Sequence, residues 1–429
     1  MEAPQTGKAQ KVATVGLTVK RKDEPLNRRV TMGAVLGHLG TIYHMSNFDP
    51  PDYPNISSQE IASYLVNLYD KRLADRYYFN GPTAFEDELC DYLNTSHCFV
   101  TNSGHASILI ALLAAEIQEG DEVITTPISW GQTLSPILNL GATPVFADID
   151  PDTFQISFDN IVSKYTTKTK AVLVVNLYGS SPELLKIKSF CDDKGIILIE
   201  DSAQSMGCKY GSKFTGTIGH IGAYSFNSTK LLPVGGAGAV VTNDKNLFDK
   251  IIQYGSKSSH KKKALGNNSV CDGLDATFLC HPILQELGRI KLKELDEMNY
   301  HRAENMKFFR NEIKDIKGIH LQKINDDSSQ SLYMFSFKNL LPIKIDKLSQ
   351  LLKHYNLPIF RYNPIPLCEI DSGSRWSNKF TPVFCPNAKL LADNEMCITS
   401  YKWYTKGQDY LRRYSDILHK CYDILEKRL

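Results

Sequence analysis

Short apolar segments recur along the first two thirds of this chain, and they constrain its fold more than any other feature. They fall at 97–101 (HCFVT), 122–126 (EVITT), 143–147 (TPVFA), 171–175 (AVLVV), 196–200 (IILIE), 222–226 (GAYSF) and 238–242 (GAVVT). Several are apolar at nearly every position rather than at every second one. A strand of that kind has to be covered on both faces, as in a parallel sheet with helices on each side. Helical spacing fills the gaps, predicting helices over 106–116 and 133–140. Ahead of the first strand, Ile61, Tyr64, Leu65, Leu68 and Tyr69 mark one amphipathic helix that starts near Ser57. Gly81-Pro82 interrupts the chain, and Phe85, Leu89 and Leu93 mark a second helix.

Beyond the last of these strands the pattern changes. From 281 to about 314, apolar positions at Leu284, Leu287, Ile290, Leu292 and Leu295 predict one long helix that bridges two domains. Strands at 332–337 and 358–361 and helices at 345–354 and 410–427 then read as α+β. The expectation is a polar tail over 1–40, a large α/β domain over 41–290 and a smaller α+β domain over 291–429. The tail carries the mixed-charge run KRKDEPLNRR at 20–29.

Composition removes several function classes. Of 429 residues, 42% are hydrophobic and 22% charged, which is globular usage. With 49 basic and 47 acidic residues the net charge is +2, which gives no general reason to bind nucleic acid or an acidic membrane. The 10 cysteines include no C-x-x-C pair, so neither a zinc ribbon nor a thioredoxin-type motif is expected; free thiols are, and no metal site is assigned. Residues 1–29 lack an apolar core of the signal-peptide kind, and no run approaches a membrane span. A cytoplasmic location is expected.

The chemistry concentrates between 197 and 244. One strand ends in Glu200-Asp201; another ends in Asn227-Ser228-Thr229-Lys230 and is followed by Gly235-Gly236-Ala237-Gly238. Ligands of such sheets sit beyond the carboxyl ends of the strands, so one acid and one amine share a rim. Pyridoxal phosphate needs that pair. A lysine forms a Schiff base with its aldehyde, and a carboxylate keeps its ring nitrogen protonated. Its phosphate needs backbone N–H groups at a helix start. Plainer readings stand beside this one: a solvated Lys230, Asp201 as an N-cap for a helix opening at 202–204, and Trp130 as a core aromatic. The basic stretch 257–263 (KSSHKKK) reads as an exposed loop or as an anion-binding rim.

Glu200-Asp201-Ser202-Ala203-Gln204, Ser225-Phe226 leading to Lys230, and Thr242-Asn243-Asp244 resemble the signatures of the DegT/DnrJ/EryC1/StrS family of aminotransferases, which add amino groups to sugars and cyclitols. Asn102-Ser103-Gly104-His105-Ala106-Ser107 is similar to the family's phosphate turn. GDEVI at 120–124, GATPVF at 141–146 and Tyr362-Asn363-Pro364-Ile365-Pro366-Leu367 are similar to further family segments.

The resemblance implies an aspartate-aminotransferase-like fold, pyridoxal phosphate, a homodimer, glutamate or glutamine as amino donor, and a keto-sugar or keto-cyclitol acceptor. Carried across, Lys230 is the Schiff-base lysine and proton shuttle, and Asp201 pairs with the ring nitrogen. Gln204 lies on the 3-oxygen side, and Trp130 stacks on the ring. Ser225, with Ser103, Gly104 and His105, holds the phosphate. The His105 imidazole either faces substrate or simply packs. Asn176, Tyr178 and Tyr362 line the substrate side.

Some positions depart from the family pattern. Gly273-Leu274-Asp275 stands where the family has an asparagine that reaches the phosphate of the neighbouring subunit; either Asp275 points elsewhere or another group, such as Asn267 or Asn268, takes that task. Asn176 replaces a histidine, the 235–238 glycine cluster lacks a glutamate, and His281-Pro282-Ile283 replaces Q-A-A. Cys385-Pro386-Asn387-Ala388 and Ser400-Tyr401-Lys402-Trp403 are similar to the cyclitol branch. These departures touch the substrate side and leave open another reaction of the same cofactor, or a non-catalytic homologue. Retention of Lys230, where dehydratase relatives carry histidine, speaks against elimination.

Overall fold

The computed structural model describes residues 84–256, 277–325, 328–329, 333–354, 357, 359–370, 382–399 and 407–427. The 1–40 tail, the helix expected after Ser57, Gly81-Pro82, the stretch 257–263, Asn267, Asn268, Gly273, Asp275 and the 400–403 run lie outside the described residues.

Helix α1 (Ala84–Leu93) leads into strand β1 (His97–Thr101), and helices and strands then alternate. They are α2 (Gly104–Ala114), β2 (Glu122–Thr125), α3 (Gly131–Asn139), β3 (Thr143–Phe146), α4 (Phe158–Lys164), β4 (Thr169–Val175), α5 (Leu184–Lys194) and β5 (Ile197–Asp201). Two short strands follow, β6 (Lys209–Tyr210) and β7 (Lys213–Phe214), and then β8 (Ile221–Ser225), β9 (Gly238–Thr242) and α6 (Lys245–Gly255). Among the described residues seven strands form one sheet in the order β1-β9-β8-β5-β4-β2-β3. Strand β9 runs antiparallel to β1 and β8, and the other pairs are parallel. The mostly parallel sheet read from the apolar runs is therefore present.

Strand β4 shows why those runs do not alternate. Its Ala171 and Leu173 pack with Ile199, Ile221, Ala111 and Ile251 in one core cluster. Its Val172 and Val174 pack with Leu198, Leu184, Ile187 and Cys191 in another. All four β4 side chains are fully buried. Burying a side chain of that size stabilises by about 1.5–3 kcal/mol, so each face of the strand repays its cover. The covering helices have local start signals. Ser103 accepts from Ala106 N at the start of α2, and Asp244 accepts from Asn246 N and Leu247 N at the start of α6.

The register gathers several strand ends on one edge. Thr101 pairs with Gly238, Gly238 pairs with Ser225, Ala223 pairs with Asp201, and Asp201 pairs with Val175. The segments that follow β1, β4, β5 and β8 thus emerge side by side.

The long helix expected over 281–314 is two helices, α7 (Pro282–Leu292) and α8 (Leu295–Ile313). The ladder stops because Glu294 N donates to Lys291 O, three residues back, and tightens the last turn. Past the break the packing changes over: Leu295 and Met298 of α8 still join the core of Phe85 and Leu292. Gly288 of α7 lies so close to Phe85 of α1 that a Cβ there would meet Phe85 Cζ at 2.4 Å. Phe309 and Ile313 of α8 instead join the C-terminal core.

That core packs against a second, antiparallel sheet. Its strands are β10 (Ile319–Leu321), β12 (Met334–Asn339), β13 (Ile359–Phe360) and β14 (Glu395–Thr399), in the order β10-β12-β14-β13, while β11 (Ser328–Ser329) pairs with β6. Helices α9 (Ile345–His354), α10 (Pro386–Asn394) and α11 (Gln408–Glu426) complete the part. Among the described residues no helix is long and apolar enough to cross a membrane.

Gly222 on β8 gives a test of this packing. A Cβ at that position would lie 1.9 Å from Gly216 O, and the obstacle is backbone that no rotamer change relieves. Gly222→Ala is expected to destabilise the protein by about 3 kcal/mol, read as a lower urea midpoint. An unchanged midpoint would contradict the close approach.

Candidate active site

Successive residues of a strand face opposite ways, so Glu200 and Asp201 cannot share an environment. Glu200 is fully buried. Its Oε2 accepts from Gly216 N at 2.7 Å and Asn176 Nδ2 at 3.1 Å, and its Oε1 accepts from Ile218 N at 2.9 Å and Gly219 N at 2.6 Å. Burial pushes this carboxyl above its ordinary range, and the four donors pull against that. Asp201 faces the other way. Its Oδ2 accepts from Thr133 Oγ1 at 2.7 Å and its Oδ1 from Ala203 N at 3.1 Å. Burial raises its carboxyl too, opposed by those two donors and by the charge of Lys230. No helix opens after it: residues 203–207 form turns, which corrects the N-cap alternative.

Lys230 follows a turn closed by its own N–H on Asn227 O at 2.9 Å. Its side chain is not solvated in the way a surface lysine is. The amine lies 4.4 Å from the centroid of the Tyr333 ring and donates to the Tyr333 hydroxyl at 3.4 Å.

At the start of α2 the Ser103 hydroxyl is spent on the cap, accepting from Ala106 N at 3.2 Å. The N–H groups of Gly104 and His105 carry no hydrogen bond from within the chain among the described residues. Gly104 lies against Ser225, where a Cβ at 104 would meet Ser225 Cβ at 2.5 Å. Gly238 closes the floor, where a Cβ would meet Ser107 Oγ at 2.5 Å. The His105 imidazole bonds the Gln132 backbone and sits 3.4 Å from Ser135 Oγ. Of its two readings, packing is the one the contacts support, and burial lowers its basicity. Open N–H groups at a helix start, with a hydroxyl beside them and no side chain in the way, suit a phosphate.

Trp130 is 42% exposed, so the core reading is corrected. It occupies the cap position of α3, with its ring 6.1 Å from that of Tyr362. Tyr362 lies 5.7 Å from Tyr178, edge to face. Gln204 ties this wall together: its Nε2 donates to Tyr362 Oη at 3.3 Å and its Oε1 accepts from Tyr178 N at 2.9 Å. Asn176 and Tyr178, expected to meet substrate, are both fully buried. Asn176 Nδ2 holds Glu200 and, at 2.9 Å, Ser202 Oγ. Tyr178 has a left-handed backbone (φ 60°), and its hydroxyl donates to Glu395 on β14. Asn176 thus braces the end of β5, and Tyr178 is the buried end of the ring wall.

Three residues of the site carried no recognised sequence signal. Thr133 stands three positions after Trp130 in what reads only as a helix start. Tyr333 and Glu395 lie more than a hundred residues from Lys230 and Tyr178, one just ahead of β12 and the other at the start of β14, with no motif. The donor set as a whole fits pyridoxal phosphate: a phosphate cradle, a buried carboxylate, an amine and an exposed aromatic face on one sheet edge.

Residues 61–409 match the model of the DegT/DnrJ/EryC1/StrS aminotransferase family. GDP-perosamine synthase of Escherichia coli O157:H7 is 30% identical over 252 residues, covering 59% of this chain and 68% of that protein. L-glutamine:2-deoxy-scyllo-inosose aminotransferase of Streptomyces kanamyceticus is 39% identical over 160 residues, covering 37% and 38%. In fold, the chain is similar to the aminotransferase from Psychrobacter cryohalolentis, with a TM-score of 0.77, 24% identity and coverage of 88% of this chain and 100% of that one.

Glu200→Gln tests the strand end. The amide nitrogen would face N–H groups that now meet an acceptor, so a stability loss of about 2–3 kcal/mol is expected in urea unfolding. Wild-type stability in this variant would show that the four contacts carry little.

Proposed function

The chain belongs to the DegT/DnrJ/EryC1/StrS aminotransferase family, and from that premise we propose that it transfers an amino group from glutamate or glutamine to the keto carbon of a sugar or cyclitol. The chain is a pyridoxal-phosphate-dependent aminotransferase. The acceptor class is our reading, supported by what its relatives are named for: a GDP-sugar synthase and a cyclitol aminotransferase. One observation carries the residue assignment: Lys230 emerges on the same sheet edge as the buried Asp201 and acts on its charge.

When bound, pyridoxal phosphate supplies an aldehyde for the amine and a ring that accepts the electron pair left when the donor loses its Cα proton. In this reading the N–H groups of Gly104 and His105 and the Ser225 hydroxyl hold the phosphate, with Ser103 ordering that turn. Asp201 would keep a proton on the ring nitrogen, and the Thr133 bond favours the charged form of Asp201. Trp130 covers one ring face, and Gln204 lies on the 3-oxygen side. Lys230 would hold the cofactor through its aldehyde, and its free amine would serve as the base and acid that moves the donor's Cα proton. Tyr362 borders the substrate, with Tyr178 packed against it and Asn176 bracing the end of β5. A cofactor-binding part over 41–290, a C-terminal part over 291–429 and a homodimer belong to the same reading.

Absorbance tests it. The visible band of lysine-bound cofactor is expected in the wild type and absent in Lys230→Ala, and glutamate or glutamine should bleach the wild-type band. A band that survives in Lys230→Ala would sink the assignment.

The acid limb of the activity profile reports on Asp201. Protonation as pH falls removes the charge that faces the ring nitrogen. The Thr133 bond favours the charged form, so Thr133→Val should raise the Asp201 carboxyl further. The acid limb is then expected to move to higher pH. A limb that stays in place would mean that Asp201 does not govern it.

A further inference from the structure

Lys230 has two tasks in the reading above. It anchors, and when displaced it must carry a proton between two adjacent carbons. A displaced lysine side chain has four rotatable bonds and every entropic reason to leave for solvent. Efficient proton transfer requires it to stay, with its nitrogen held within reach. Something other than the anchor bond has to restrain it.

Among the described residues, Tyr333 is the one hydrogen-bond partner of the Lys230 amine, at 3.4 Å. The amine also sits 4.4 Å from the centre of the Tyr333 ring, within the range in which an aromatic face attracts an ammonium. Tyr333 is itself restrained. It is 6% exposed and belongs to the core cluster that contains Tyr362, Tyr178 and Phe226. It lies just ahead of β12 of the antiparallel sheet, so the contact reaches across from a part of the chain 103 residues away. Asp201 acts on the amine from β5, and Tyr362, whose hydroxyl Gln204 holds, adjoins Tyr333.

We propose that Tyr333 is a positioning residue for the reaction: its ring face and hydroxyl keep the displaced Lys230 amine beside the atoms between which it moves the proton. This rests on Lys230 being that proton carrier. Neither contact is needed for the cofactor to load. The role therefore predicts a defect in proton transfer with binding preserved.

Tyr333→Phe keeps the ring and removes the hydroxyl; Tyr333→Leu removes both. In full-length protein, both variants are expected to retain the visible absorbance band. The rate at which L-glutamate or L-glutamine bleaches it should fall, roughly tenfold in the Leu variant and less in the Phe variant, with little change in KM. Deuterium at Cα of the donor should slow the variants by a larger factor than it slows the wild type, because proton transfer limits them more. An independent readout uses the cofactor-free full-length chain. Labelling of Lys230 by an amine-acylating reagent, read by mass spectrometry, should be severalfold faster in the Leu variant.

A fall in rate with an unchanged isotope effect and unchanged labelling would mean a merely structural Tyr333 and overturn the proposal. So would wild-type behaviour of both variants. If neither amino acid bleaches the band, labelling decides alone: faster supports, unchanged overturns. Lys230→Ala separates the two levels. If that variant keeps the band, the functional reading fails. If it loses the band while the Tyr333 variants behave as wild type, only the positioning role fails.

Discussion

Two acids stand next to one another at the end of β5, and the pleat sends them apart. Glu200 is locked by three backbone N–H groups and the Asn176 amide, which fixes the strand end as a rigid rim. With Glu200 committed to the structural side, Asp201 has to face the open edge. There Thr133 and Ala203 hold its carboxylate in place despite burial. A one-residue slip of β5 would exchange the two environments and leave the site without its acid. The rest of the site is arranged around that alternation.

The neighbouring strands bring the remaining chemistry to the same edge by register. Gly238 pairs with both Thr101 and Ser225, so the start of α2 and the end of β8 meet beside it. Glycine at 104 and 238 is what permits the approach, since a methyl at either position would collide with its neighbours. Behind the rim, the rings of Tyr178, Tyr362 and Trp130 form a wall tied by Gln204 and by Glu395. Part of that wall comes from the antiparallel sheet. The site is thus shared between the two sheets, even though its acid and its lysine both come from the first.

How much of this was legible depended on how locally each feature is encoded. The β strands were readable because full burial on two faces leaves an unbroken apolar run, as Val172, Leu173 and Val174 show. Asp201 was readable because it ends such a run, and Lys230 because it lies in the turn that follows one. The division of the 281–314 helix was not, since Lys293 and Glu294 are ordinary helix formers and the change of packing from Phe85 to the C-terminal core is not written in them. Asn176 and Tyr178 were read as lining the substrate side, and the structure buries both side chains. A motif gives nearness in sequence, and the direction of a side chain depends on what fills the space behind it.

The sequence by itself determined the class of sheet, the acid and the amine at its edge, and the glycines between them. All of these are written within a few residues by periodicity and by strand-to-turn junctions. Only the tertiary structure decided that Thr133 supports Asp201, that Tyr333 holds Lys230 and that Glu395 receives Tyr178. Those pairs join side chains separated by 68, 103 and 217 positions. No local pattern encodes such a contact, because it exists only once the closed cores have set where each strand ends.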